Sequence, residues 1–437
     1  MAKGRALLDS ESDSHGKPGV DTSERTALER RARGASRRNR LAAGRGHSLS
    51  LGADGTVWAW GGNWSAQLGD GTWGRPLQPV KVQGLDGVKS LAAGDDFSLA
   101  LREDGTVWAW GSNSRGQLGP SAPPGASSTP SQVPGLTDIV AIATGHSHAL
   151  AVRGDGTVWA WGSNFIGELG RPANYSANPT PTQVSGLSGI ITVAADFTFS
   201  MALREDGTVW AWGGNGDGQL GDGSGSRPRQ IGGLTDVISL NAAETHALVM
   251  RKDGSVWGWG DNQNGQLATG SEIRFSPVQV LGLANAVAVS ANNMRSLALR
   301  EDGTVWSWGY NSYGQLGDGT RMTRHKPAPV QGLSHVTEIS AGGALSLALL
   351  QNGTVWGFGD NSSSQIDDSK QLTYPTPVQR PGLAGVVTIS AGPAHVLAVL
   401  SDGTARAWGS NVYDQIGDGV SSIHSTPVLV PLPTSEP

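Results

Sequence analysis

Four short apolar runs, separated by glycine and acidic residues, recur along most of this chain. From residue 88 they read Val88-Lys89-Ser90-Leu91-Ala92-Ala93, then Phe97-Ser98-Leu99-Ala100-Leu101, then Val107-Trp108-Ala109-Trp110, then a segment around Pro130-Ser131-Gln132-Val133. Runs of this length, rich in Val, Ile, Leu and Trp and bounded by Gly and Asp, predict four strands. Between the second and third stands Asp104-Gly105, which predicts a two-residue hairpin turn with positive φ at both central positions. In the third strand the two-residue period puts both Trp on one face and Val107 and Ala109 on the other.

The same parts return eight times. DGTVWAWG begins at Asp54, Asp104, Asp155 and Asp206, and variants of it begin at Asp253, Asp302, Asn352 and Asp402, at spacings of 50, 51, 51, 47, 49, 50 and 50 residues. Four antiparallel strands in a unit of that length fit a propeller blade, whereas leucine-rich, ankyrin and tetratricopeptide repeats are shorter and mixed or helical. The predicted fold is all-β, a propeller of eight four-stranded blades over residues 41–433; a seven-bladed ring with displaced terminal strands is the alternative. The first repeat starts weakly, at Leu41-Ala42-Ala43, and the last retains a fourth strand near Pro427-Val428-Leu429-Val430.

Composition follows from the repeat. Glycine supplies 64 of 437 residues as turn punctuation, and 14 of the 16 Trp occupy the third-strand positions, where the bland role of filling space between blades is the expected one. Residues 1–40 form a basic tail, with ten Lys/Arg against six Asp/Glu, which leaves residues 41–437 acidic at 22 against 31; residues 434–437 are a short C-terminal tail. An acidic body argues against a general phosphate-gripping surface. Cysteine is absent, which excludes disulfides, thiolate metal sites and thiol nucleophiles. The N-terminus offers only Ala6-Leu7-Leu8 where a secretory segment needs a longer apolar stretch, and no run reaches membrane-helix length; the expected location is cytoplasmic.

The run Gly44-Arg45-Gly46-His47-Ser48-Leu49, with Asp54 to Gly61 and Asn63 to Gly71, resembles the regulator of chromosome condensation repeat family nearly residue for residue, over positions 41 to about 432. The resemblance implies a propeller, ordinarily seven-bladed. Its members include a guanine nucleotide exchange factor for a small GTPase, a plant ultraviolet photoreceptor and a secreted β-lactamase inhibitor, so it implies a scaffold and carries over no catalytic residue.

Chemistry is then sought where the repeat varies. In an up-and-down blade, the connections after strands one and three share a face, and those after two and four share the other. The second class is monotonous here. The first class supplies the candidate partner-binding residues: Asp95, Asp96, His146, Phe197, Glu244 and Met294 after strand one, and Trp64, Trp73, Arg75, Arg115, Phe165, Tyr175, Arg274, Phe275, Tyr310, Tyr313 and Arg324 after strand three. Variable loops on a constant frame mark recognition, and aromatic and arginine side chains anchor interfaces. Trp64 and Trp73, the only Trp outside the strand pattern, stand first among them.

Other motifs fall away. His47, His148, His246 and His395 share one repeat position, and are expected to be structural, not metal ligands or members of a Ser-His-Asp set. Gly216, Gly218 and Gly221 spell GxGxxG, but in a β repeat with no helix following. No cofactor, metal or catalytic residue is nominated. The tail arginines Arg30, Arg31, Arg33, Arg37, Arg38 and Arg40 could hold nucleic acid or an acidic partner, although such runs are more often solvated. The leading expectation is a monomeric protein-binding scaffold, inhibitor or adaptor; the alternatives are a small-GTPase exchange regulator and a chromatin- or DNA-associated protein using the tail.

Overall fold

The structure is a computed structural model that describes residues 41–52, 54–76, 78–221, 225–292, 294–416 and 424–430. The basic tail with its six arginines and residues 434–437 lie outside the described residues. Eight four-stranded antiparallel sheets each use consecutive strands. The second is representative, with strands Val88–Ala93, Phe97–Arg102, Val107–Asn113 and Gly125–Gln132. First strands of successive sheets touch one another all the way round, the first blade also meeting the eighth. The ring is therefore closed, has eight blades, and keeps strand one innermost; the seven-bladed alternative is excluded.

The blades are held by the second aromatic of each third strand, Phe358 in the seventh blade and Trp in the other seven. Trp110 is fully buried among Leu49, Val57 and Leu68 of the blade before it, a burial worth about 5 kcal/mol of gross transfer free energy. Its indole N–H donates to the Gln67 carbonyl at 2.8 Å. The bond repeats from Trp161 to Gln117, Trp212 to Glu168, Trp259 to Gln219, Trp308 to Gln266 and Trp408 to Gln365. The first Trp is less enclosed than a core residue: Trp159 is half-buried, bonds Thr157 Oγ1 and carries the Arg153 guanidinium 4.4 Å above its ring.

The Asp-Gly turns differ from the two-residue type expected. Residues 103–105 form a three-residue loop closed by Arg102 N to Thr106 O and by Gly105 N to Arg102 O. Only Gly105 has positive φ, at 78°, and a Cβ there would lie 3.0 Å from the Asp138 backbone. Aspartate precedes it for its side chain: Asp104 Oδ1 accepts from Thr106 N at 2.9 Å and Thr106 Oγ1 at 2.6 Å. Asn352 makes the same two bonds to Thr354, which explains why it can replace aspartate in the seventh repeat.

The repeat histidines form a code between blades. His47 Nε2 meets Ser98 Oγ of the next blade at 3.0 Å, and His148–Ser200, His246–Ser296 and His395–Ser48 repeat the pair. Where the first position is apolar, so is its partner: Phe97 packs with Ala149, Phe199 with Ala247 and Leu345 with Val396. In the sixth blade, buried Arg295 reaches Ser346 Oγ and the carbonyls of Gly342, Gly343 and Leu345. Ser98 spends its proton on the Gln67 carbonyl, so its oxygen accepts from His47 Nε2–H. The neutral tautomer is thereby fixed, and Nδ1 of His47, His148 and His395 is buried without a hydrogen-bond partner. Burial holds all three imidazoles down, to about 4. All four histidines join one blade to the next.

Candidate interaction face

The connections after strands one and three do share a face, because they bond to each other. Gly62 N, after strand three, donates to the Gly46 carbonyl after strand one. Trp64 lies over Gly46, where any Cβ would come within 2.7 Å of its ring. Within each outer loop the recurrent Asn acts as the post: Asn63 Oδ1 accepts from Leu68 N while Nδ2 donates to the carbonyls of Thr72 and Gly74. That bracing leaves the residues between to vary without loosening the loop.

Eight of the predicted residues fall into two connected groups. Around the mouth formed by the turns after strand one, Trp64 Nε1 donates to Asp96 Oδ1 at 2.9 Å, and the indole meets Tyr413 of the last blade edge-on at 5.2 Å. His146 binds the neighbouring Asp95 from Nε2 at 2.9 Å and Ser147 Oγ from Nδ1 at 2.8 Å. Its ring stands edge-on to Phe197 at 5.5 Å. Main-chain bonds tie the same turns, from Asp95 N to His146 O and from His146 N to Phe197 O. An unbroken line of contacts thus runs through Tyr413–Trp64–Asp96 and on through Asp95–His146–Phe197, with Trp64 44% and Phe197 45% exposed. Further out, Arg115 stacks on Phe165 at 4.2 Å, and Phe165 meets Tyr175, the most exposed large aromatic, at 5.5 Å.

The electrostatics of the mouth are set by crowded carboxylates. Asp196 is pushed up to about 6, first by burial and then by Glu244 and Asp95, against the bond it accepts from Phe197 N. Burial also raises Asp96, against its bond from Trp64. The Asp95 hydrogen bond raises His146, against desolvation. Phe197 holds a φ of 37°, a strained value for a bulky residue, and it keeps the ring turned outward between the His146 and Asp196 contacts.

The remaining predicted residues divide. Trp73, Phe275, Met294 and Tyr313 are exposed, Glu244 stands exposed beside Asp196, and Tyr310 is half-buried. Three arginines are engaged within the ring: Arg75 pairs with Asp414 at 2.8 Å and the Val412 carbonyl at 3.1 Å, Arg274 donates to Thr269 O, and Arg324 pairs with Asp318. Their guanidinium groups brace loops. His146 faces solvent, whereas His148, two residues on, is buried. Asp95 and His146 were both named as candidates from the sequence; that they pair, with Ser147 on the other ring nitrogen, is decided by contact between blades. Sequence reasoning passed over Asp196, which stands where Gly44, Gly94 and Gly145 stand in other repeats. A carboxylate in place of a recurring glycine is the signal that would have found it.

Comparison with known proteins agrees with this architecture. The sequence profile of the RCC1-like domain matches residues 9–291 and again 137–436. Among sequence relatives, the human probable E3 ubiquitin-protein ligase HERC6 is 39% identical over 98 residues, 22% of this chain and 10% of that protein. The mitochondrial RCC1 domain-containing protein RUG3 of Arabidopsis thaliana is 29% identical over 196 residues, 42% of this chain and 44% of that one. The chain therefore spans less than half the length of these curated relatives. Among solved structures, human WBSCR16 superposes with a TM-score of 0.62 at 24% identity, covering 75% of this chain and 94% of that one. Prp20p from Saccharomyces cerevisiae superposes with 0.61 at 23%, covering 87% of each. At these identities the likeness is one of fold. The chain belongs to the RCC1-like domain family.

Proposed function

We propose that this protein is a protein-binding platform whose partner seats on the face that carries Trp64, Tyr413, His146 and Phe197. One observation carries the reading: aromatic side chains that stay half exposed are locked by hydrogen bonds and ring contacts across adjacent blades. Such preorganised aromatics bury large area at little entropic cost when a partner arrives. Affinity capture from the native source, followed by mass spectrometry, identifies the partner. Trp64→Ala with Phe197→Ala is expected to lose it, and undiminished capture by that double variant refutes the reading.

A second reading has the partner a small GTPase whose nucleotide release is accelerated. It is supported by likeness to Prp20p, a protein characterised for its binding to Gsp1p and histones. Unchanged nucleotide release from GTPases of the same source removes it. Association with DNA through the Arg30–Arg40 segment is a third, separable reading, and binding that survives deletion of residues 1–40 removes that one.

A further inference from the structure

The eight blade interfaces are not equivalent. Seven are also joined by chain, because strand four of one blade leads directly into strand one of the next. The eighth, between residues 395–416 and residues 41–61, has no such link. Among the described residues each blade uses its own four consecutive strands, so no described strand is exchanged across this seam, and non-covalent contacts close it. Leu41, Trp58 and Trp60 pack there against Leu397, Val399, Ala405, Ala407 and Ile416.

The seam also lacks a bond that six of the other seven interfaces make, Phe358 filling the remaining one. In six other blades the buried indole donates to the carbonyl of the Gln or Glu in the preceding blade. Trp60 is equally buried, yet its Nε1 has no hydrogen-bond partner, although the Gln415 main chain that should receive it lies against Gly61. A buried hydrogen bond left unmade shifts a local opening equilibrium by about tenfold. What the seam has instead sits on the interaction face: Arg75 grips Asp414 and the Val412 carbonyl, and Trp64 meets Tyr413.

We infer that this seam is the ring's release point, latched from the interaction face by Arg75 and the Trp64–Tyr413 contact. A partner that grips Trp64 on one side and Tyr413 on the other binds the closed ring better than the open one. By linkage it then tightens the seam by the same factor with which closure favours its binding. This coupling rests on the reading of the face as a binding surface; the weakness of the seam does not.

Hydrogen-exchange mass spectrometry on the full chain tests the release point without a partner. Amides of His47–Leu51, Val57–Gly61 and Ala405–Gly409 are expected to exchange about tenfold faster than their counterparts Phe199–Arg204 and Val209–Gly213 at the fourth blade. Arg75→Ala with Tyr413→Ala is expected to accelerate exchange further, at those segments alone. Equal protection at the two sites in the parent overturns the inference, and so does acceleration spread through all eight blades. Arg274→Ala, which removes a brace within one loop, serves as the comparison and is expected to leave the seam unchanged.

Discussion

Acidification should unlock the ring through its buried histidines. His47, His148 and His395 ordinarily titrate near 6.5 and are held at about 4 in the fold. Between those values the unfolded chain binds protons that the folded one refuses, so this stability is fully present above 6.5 and falls as pH drops toward 4. At about pH 5 the difference amounts to about 2 kcal/mol per residue, or about 6 kcal/mol for the three. Four groups work in the opposite sense: Asp96, Asp196, Asp217 and His146, all raised in the fold, gain stability as pH falls. The structure supplies a clean perturbation, because the second and third blades already use the apolar alternative, Phe97 against Ala149. The double variant His47→Phe with Ser98→Ala transplants that pair to the first interface. Urea unfolding of parent and variant at constant ionic strength, from about pH 8 to about pH 5, is the assay. The variant should lose about 2 kcal/mol less than the parent over that range. Identical pH slopes would refute the assignment of His47 as a buried neutral donor.

Three further outcomes follow from the packing. Trp110→Phe removes the bond to the Gln67 carbonyl and should cost about 1 kcal/mol beyond the change in area, whereas Trp60→Phe removes an unpaired donor and should cost measurably less; paired chemical denaturations compare them. Gly105→Ala, at a φ of 78° with the Asp138 backbone 3.0 Å from the new Cβ, should destabilise by about 1–3 kcal/mol, and an unchanged denaturation midpoint would contradict the turn described. Arg295→Ala takes the guanidinium donor from the carbonyls of Gly342 and Gly343 and leaves Leu345 O only its bond from Gly342 N; it should cost about 3 kcal/mol or more, read as a lowered midpoint at neutral pH.

What the chain disclosed by itself was whatever the repeat made local. Strand length, the Asp-Gly turns, the burial of the second Trp and the choice of face all follow from a period of two within strands and about fifty between them. Short-range hydrogen bonds and side-chain alternation fix those features within one blade. Even so, the turn geometry was misread: aspartate was chosen for its bonds to Thr106, not for a left-handed backbone. Among the candidate residues, Trp64 and Phe197 stood out because they depart from a pattern, and the structure shows both exposed. Arg75 and Arg324 looked the same in sequence, yet they are spent on Asp414 and Asp318.

Tertiary structure alone decided which blades meet and what passes between them. That His47 needs Ser98, that Phe97 needs Ala149, and that Asp95 of one blade holds His146 of the next are matters of contact between residues some fifty positions apart. No local pattern records them. Closure is the extreme case: residues at opposite ends of the sequence become neighbours only because eight small inter-blade rotations sum to a full turn. That sum belongs to the ring as a whole and to none of its repeats.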